Sequence, residues 1–247
     1  MAGHSKWANI KHRKAAQDAK RAKVFTKHIR EITVATRLGG PDPETNARLR
    51  LALDRAFAVN LPKDRADAAI KKGAGLEEAG HYEELRYEGY GPGGTAIMVD
   101  CMTDNRNRTV SEIRHAFNKH GGKLGTDNSV GYLFQERGVL IFAPESDRER
   151  IFEVALEAGA EDLLENDDGS TEVLTSPDGY REVRTALLEA DLEPAEADVT
   201  QRPDITVQVE GEDAVKNAKL IDRLEDLDDV QHVYTNADIP EEAYAQG

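Results

Sequence analysis

Apolar residues near the start of the chain fall at Ala22, Phe25, Ile29 and Ile32, spaced three, four and three apart. That spacing predicts one stripe on a helix. Gly39 and Gly40 are expected to end it. In "GGPDPET", Asp42 is expected to cap a second helix with Pro43 in its first turn, and Leu49, Leu53 and Phe57 line that helix. "NLPKDRADAAIKKG" starts a third helix near Pro62 and closes it at Gly73, with two lysines in the last turn. Residues 1–79 therefore read as a small helical bundle.

The pattern then changes. "HYEELRYEGYGPGGTAIMVDCMT" predicts two strands around a Gly/Pro turn. A helix over 109–120 follows, with Val110, Ile113 and Phe117 inward, and then a strand at "VGYLF". Strand "GVLIFA", helix 147–158, strands "AEDLLE" and "STEVLT", helix 178–190 and strand "EPAEADVT" come next. Their β-α-β-β-α-β order is ferredoxin-like. "DITVQV", helix 211–227 and "VQHVYT" add a last β-α-β. Residues 80–136 and 204–247 each hold half the elements of such a unit. They are expected to form one domain, with 137–203 inserted as a third, since chain ends of a domain often lie close. Serial packing of unlike units is the alternative. The expected fold class is α+β and multidomain, an N-terminal helical bundle followed by two ferredoxin-like α/β domains, one inserted in the other.

Composition narrows the setting. Charged residues make up 32% of the 247 and apolar ones 39%, as in a soluble, highly charged protein. No apolar run approaches the roughly 18–20 residues of a membrane span, so no membrane partner is expected. The basic start has no apolar stretch after it, unlike a secretory signal. Its first 40 residues hold six Lys, four Arg and one Ser, whereas transit peptides favour Arg and Ser. A single cysteine, Cys101, excludes a disulfide framework and a Cys-rich zinc site and fits a reducing, cytoplasmic location.

Charge changes the picture more. Residues 1–75 hold 17 Lys and Arg against 7 Asp and Glu, a net +10, while the remainder holds 15 against 40, a net −25. The chain is bipolar, and its overall −15 conceals a basic end.

Catalytic patterns are sparse. "GYGPGG" has glycines at dinucleotide-binding positions, but a strand follows where a helix is needed, so a hairpin turn is expected. Cys101 lies among strand residues, and no spacing demands that His115 or His120 fold beside it, so a buried packing role is expected. No H-E-x-x-H, C-x-x-C or phosphate loop is present, and the Asp/Glu-rich "ENDDGSTE" lacks EF-hand spacing. Neither catalytic nor metal residues are assigned, no cofactor is expected, and the chain is not read as an enzyme.

The basic end is the candidate site. On a helical wheel, Lys20, Lys23, Lys27 and Arg30 lie opposite the apolar stripe, with Arg13 beside them. Such a face is either the solvated outside of a bundle helix or a surface for a polyanion. The second reading gains from the lack of pairing acids on that face and from the preceding arm, "MAGHSKWANIKHRKAA". That arm adds Lys6, Lys11 and Lys14 and carries Trp7, the chain's one tryptophan, which can stack on a base or anchor the arm. A cationic face with a basic arm suits a phosphate backbone. A second candidate is "TDNRNRTVSEIRHAFNKHGGKLG". There Arg106 and Arg108 are expected just before a helix, either as phosphate donors at its N-terminus or as exposed arginines beside a capping box.

Together, "MAGHSKWANIKHRK", "AQDAKRAKVFTK", "NLPKD", "YEGYGPGGTAIMVDCMTDNRNRT" and "HGGKLG" resemble the YebC/PmpR family, which is related to the mitochondrial translational activator of cytochrome c oxidase. The resemblance spans nearly the whole chain. It implies three domains, one helical and two α/β with one inserted, and a non-enzymatic nucleic-acid-binding protein. Family members are described as DNA-binding transcriptional regulators. Others resemble ribosome-associated translation factors that bind rRNA or tRNA and relieve stalling at proline-rich stretches. The shared opening motif carries over onto His4, Ser5, Lys6, Trp7, Ile10, Lys11, Arg13, Lys14, Lys20, Arg21 and Lys23. One departure is Asn128, where the family pattern has Gly. Asn tolerates a left-handed turn, so the turn is expected to survive.

The expected partners are therefore DNA or ribosomal RNA, with the ribosome or the transcription machinery beyond. The basic module is rich in Lys and short of Asn and Gln, which favours backbone contact over base reading. The acidic remainder confines binding to the N-terminal region and the Arg106–Arg108 edge. Lys→Glu changes at Lys11, Lys14, Lys20 and Lys23 are expected to abolish nucleic-acid binding and leave the fold intact. No oligomeric state is indicated.

Overall fold

The structure, a computed structural model, describes residues 21–75 and 82–244. Among the described residues three helices come first: α1 (Arg21–Gly39), α2 (Ala47–Ala58) and α3 (Lys63–Gly73). Their shared core joins Ile32, Ala35, Leu49, Ala52, Ala56, Leu61, Ala66 and Ala69, with Phe25 and Ile29 packed against it. So many alanines bring the helices close. A Cβ on Gly73 would stand 2.5 Å from the Thr33 carbonyl oxygen, so this contact of α3 on α1 needs glycine.

The second helix begins later than its sequence suggests. Asp42 to Thr45 form a turn, and the cap is Asn46. Its side-chain oxygen accepts from the Leu49 amide at 3.0 Å. Its amide nitrogen donates to the carbonyls of Ala35 at 2.9 Å and Gly40 at 2.8 Å. One buried side chain thus starts α2 and ties down the end of α1, a tertiary role that Asp42 does not fill.

Strands β1 (Glu83–Tyr90) and β2 (Ala96–Thr103) form an antiparallel hairpin, paired from Glu83 with Thr103 to Tyr90 with Ala96. The connecting turn uses Gly93 at φ 72° and Gly94 at φ 76°. That agrees with the hairpin reading of "GYGPGG". Helix α4 (Arg106–Lys119) and short β3 (Lys123–Leu124) follow. Strand β9 (Val230–Thr235) lies on the far side of β2, giving the sheet order β3-β1-β2-β9. Helix α4 and α7 (Gly211–Glu225) supply Ile113, Phe117, Leu220 and Leu224 to one core with Ile97, Val99, Cys101 and Val230.

This sheet is not ferredoxin-like. The short Gly/Pro turn folds β2 directly onto β1 and leaves no room for a crossover helix between them. The strand expected at "VGYLF" is also corrected. Gly131–Leu133 form a 3-10 turn, and the strand starts at Phe134. The buried Glu88 carboxylate accepts from the amides of Asn128 at 3.1 Å, Val130 at 2.7 Å and Gly131 at 2.7 Å. Those amides are thereby withdrawn from strand pairing. Asn128 takes φ 61°, the left-handed turn expected of it.

The third core is built on β4 (Phe134–Phe142), β5 (Asp162–Glu165), β6 (Thr171–Thr175) and β7 (Glu196–Pro203), in the antiparallel order β5-β6-β4-β7. Helices α5 (Arg148–Glu157) and α6 (Tyr180–Glu189) cover it. Leu140, Phe142, Ile151, Val173, Val183 and Leu187 fill the core. Its element order is the ferredoxin-like one. Two-residue strands β8 (Val207–Gln208) and β10 (Ala237–Asp238) pair in parallel, and α8 (Glu241–Tyr244) ends the described chain. The described residues form a mixed α/β fold of helices and mainly antiparallel sheets.

Candidate nucleic-acid interface

Lys6, Trp7, Lys11, Arg13, Lys14 and Lys20 lie outside the described residues. The other predicted residues, Arg21 aside, fall at two places.

The first is the outward face of α1. It meets the C-terminal end of α7 and the acidic turn after it, Glu225-Asp226-Leu227-Asp228-Asp229. Lys23 donates to the Asp226 carbonyl and pairs with the Asp228 carboxylate at 3.0 Å. Lys27 donates to the Glu225 carbonyl at 2.6 Å. Arg30 donates to the carbonyls of Met102 at 2.8 Å and Asp228 at 2.9 Å, and its guanidinium lies 4.9 Å from the Tyr82 ring centroid. A helix ends with carbonyls that lack partners and with the negative end of its dipole. Here four carboxylates crowd that same end. The cations that offset them come from α1, about 200 residues away in sequence.

These contacts mark the ionisable groups. Burial holds the Lys27 ammonium down to about 8 even though Glu225 pulls the other way. Burial first, then Arg55 and Lys27, push the neighbouring His28 down to about 4. The hydrogen bond from Lys23 holds the Asp228 carboxyl below its usual range.

The second place is the start of α4. Arg106 and Arg108 lie within its first turn rather than before it, because Asn105 caps the helix by accepting from the Arg108 amide at 3.1 Å. Arg108 clasps the buried Asp229 carboxylate at 2.8 and 3.0 Å and also reaches Asp104 at 2.9 Å. Asp229 accepts further from Thr109 at 2.8 Å and Thr103 at 3.1 Å, and lies 3.6 Å from Arg30. Two candidates that are separate in sequence, the α1 face and the α4 arginines, therefore converge on one carboxylate. Arg106 is exposed.

Arg21 stands apart. It is exposed, with its guanidinium 5.3 Å from the Phe25 ring centroid, and Arg65 of α3 approaches the same ring at 5.9 Å. Nothing in the sequence around Arg65 singles it out, since its neighbour lies 40 residues away. With exposed Lys63 and Lys71 it extends the basic surface of the bundle.

An open cleft of about 890 Å³ lies where the three cores meet. Four of its arginines pair with carboxylates. Arg86 binds Asp100 at 2.6 and 2.8 Å, Arg55 binds Asp198 at 2.7 Å, Arg184 binds Asp54 at 3.3 Å, and Arg48 binds Glu31 and Glu84. Cys101 is buried in the middle core, and burial pushes its thiol up to about 12. Among the described residues no three His, Cys, Asp or Glu side chains group as a metal site requires. No described helix is long and apolar enough to cross a membrane.

A basic helical bundle is set against acidic α/β cores in a mixed α/β fold. Residues 5–76 match the TACO1/YebC N-terminal domain, and residues 82–237 match the TACO1/YebC second and third domains. The chain belongs to the TACO1/YebC family. It is 81% identical over 247 residues, the full length of both, to a "Probable transcriptional regulatory protein" of Halorhodospira halophila. A protein of the same name from Nitrosomonas eutropha is 62% identical over 237 residues, covering 96% of this chain and 98% of that one. One from Coxiella burnetii is 59% identical over 242 residues, with 98% and 99% covered. The crystal structure of a conserved hypothetical protein, Aq1575, from Aquifex aeolicus superposes with a TM-score of 0.82 at 49% identity, covering 96% of this chain and 98% of that chain.

Proposed function

We propose that the chain is a non-enzymatic, nucleic-acid-binding regulator of gene expression, acting as a DNA-binding transcriptional regulator through its basic N-terminal module. The observation that carries this reading is the segregation of charge, +10 over residues 1–75 against −25 over the rest. A phosphate backbone is attracted to one end of such a molecule and repelled by the other. The names of the relatives agree with it. The buried, high-pKa thiol of Cys101 is unsuited to act as a nucleophile. We divide the chain into residues 1–79, residues 80–136 with 204–247, and residues 137–203. The pairing of β9 with β2, and the core they share, support the middle unit.

Binding is assigned to the segment from Lys6 to Lys20 together with the Arg21–Arg65 edge around Phe25. The test is a gel shift with 30-base-pair duplex DNA at fixed moderate salt, comparing the wild type with K11E/K14E/K20E. Replacing three phosphate-binding cations with three anions that repel phosphate predicts a weakening of about a hundredfold or more, with an unchanged circular dichroism spectrum. Undiminished binding by the triple variant would overturn the reading.

The Lys-rich, Gln-poor module also suits ribosomal RNA, whose backbone offers the same phosphates. Ribosome co-sedimentation at the salt used for the DNA assay separates the two. Ribosome binding that persists where DNA binding is lost would move the function to translation.

A further inference from the structure

The α1 cations do two things that conflict. Their place on the helical wheel puts them on the basic face suited to phosphate, yet in this structure they are held by the chain's own oxygens. Lys23, Lys27 and Arg30 lie four and three residues apart, so they form a row along one side of α1. On the turn and the helix end before it, the row meets three carbonyls, of Glu225, Asp226 and Asp228, together with the Asp228 carboxylate, and Arg30 also donates to the Met102 carbonyl of β2 and lies 3.6 Å from Asp229. A helix C-terminus carrying carboxylates is a line of oxygen acceptors at negative potential. A nucleic-acid backbone presents the same chemistry.

The rest of the boundary is also polar. Arg48 to Glu84, Arg55 to Asp198 and the Val199 carbonyl at 2.7 Å, and Arg184 to Asp54 link the bundle to the α/β cores. Leu51 packs against the third core. A boundary carrying this many ion pairs and hydrogen bonds resembles the polar interfaces across which domains move.

From these contacts we infer that the acidic turn 225–229 is an internal competitor for nucleic acid. It sequesters Lys23, Lys27 and Arg30 in the closed molecule, and a bound phosphate backbone displaces it. This rests on the N-terminal binding reading and adds a regulation to it. The arm and the Arg21–Arg65 edge make first contact. Release of the turn then frees three more cations for the polyanion.

The test compares three full-length proteins on 30-base-pair duplex DNA across a salt series. They are the wild type, E225Q/D226N/D228N, and the control E149Q/E153Q/E157Q, which removes the same charge from exposed positions of α5. Asp229 is left intact because it is buried and bonded to Arg108, Thr103 and Thr109. The turn variant is expected to bind about tenfold tighter than the control at the same salt. In the wild type the displaced carboxylates of the turn take up counterions as the cations meet phosphate, so its salt dependence should be shallower than the turn variant's by about 2–3 in log–log slope. Asp228→Asn alone, at a side chain 82% exposed, should move affinity in the same direction without endangering the fold. A turn variant no tighter than the control would overturn the inference and leave the binding reading standing. DNA binding absent from the wild type and all variants would overturn both.

Discussion

Asp229 shows how much one side chain organises. It is nearly inaccessible to solvent, and it holds Arg108, Thr103 and Thr109 while facing Arg30. A buried carboxylate is tolerable only with such partners. That need explains why two arginine sites far apart in sequence meet here. His28 makes a different demand. Its ring is neutral in the folded protein down to a pKa of about 4, against an ordinary value of 6.5. A group with a depressed folded pKa binds its proton more readily when unfolded. Stability from this residue is therefore complete above pH 6.5 and falls as pH drops from 6.5 to 4. Over that window the loss is about 3 kcal/mol. Urea unfolding at pH 7 and pH 4.5 should show the wild type losing about 2–3 kcal/mol more than His28→Gln. Equal losses would refute the assignment.

At the scale of elements, most helices and strands follow the apolar pattern, because burial and periodicity coincide along them. Phe25, Ile29 and Ile32 face the bundle core as spaced, and the alternation around "GYGPGG" gives the hairpin. Two of the misses share a cause. At the start of α2 the local cap Asn46 also bonds the end of α1, and at the turn Gly131–Leu133 the Glu88 side chain reaches in to the 128–131 backbone. Such contacts leave no periodic trace. Asn46→Ala removes a cap and leaves the carbonyls of Ala35 and Gly40 without their donor. A cost of about 2–3 kcal/mol is expected in thermal or urea unfolding. A loss under about 0.5 kcal/mol, the scale of a surface change, would mean that water replaces the side chain.

For the whole molecule, the polarity of charge was legible from composition, but the closure of one pole onto the other was not. The wheel separates cations from the apolar stripe and cannot say whether solvent, nucleic acid or another part of the chain covers them. The partners of Lys23 and Lys27 stand 203 and 198 residues away. Only the assembled fold brings them together, which is why a face read as outward is occupied. The same assembly seals Cys101 among Ile97, Val99, Ile113 and Leu224. As the chain's one thiol, held near pKa 12, it is chemically silent while the middle core stays shut. An aromatic disulfide reagent at pH 8 should therefore label it at the rate of core opening, with the yield independent of reagent concentration once reagent is in excess. Labelling within seconds, proportional to reagent, would show the thiol to be open. With that background quiet, a cysteine introduced at Asp228 or Lys23 becomes a selective handle, and the native chain carries its own clock for unfolding.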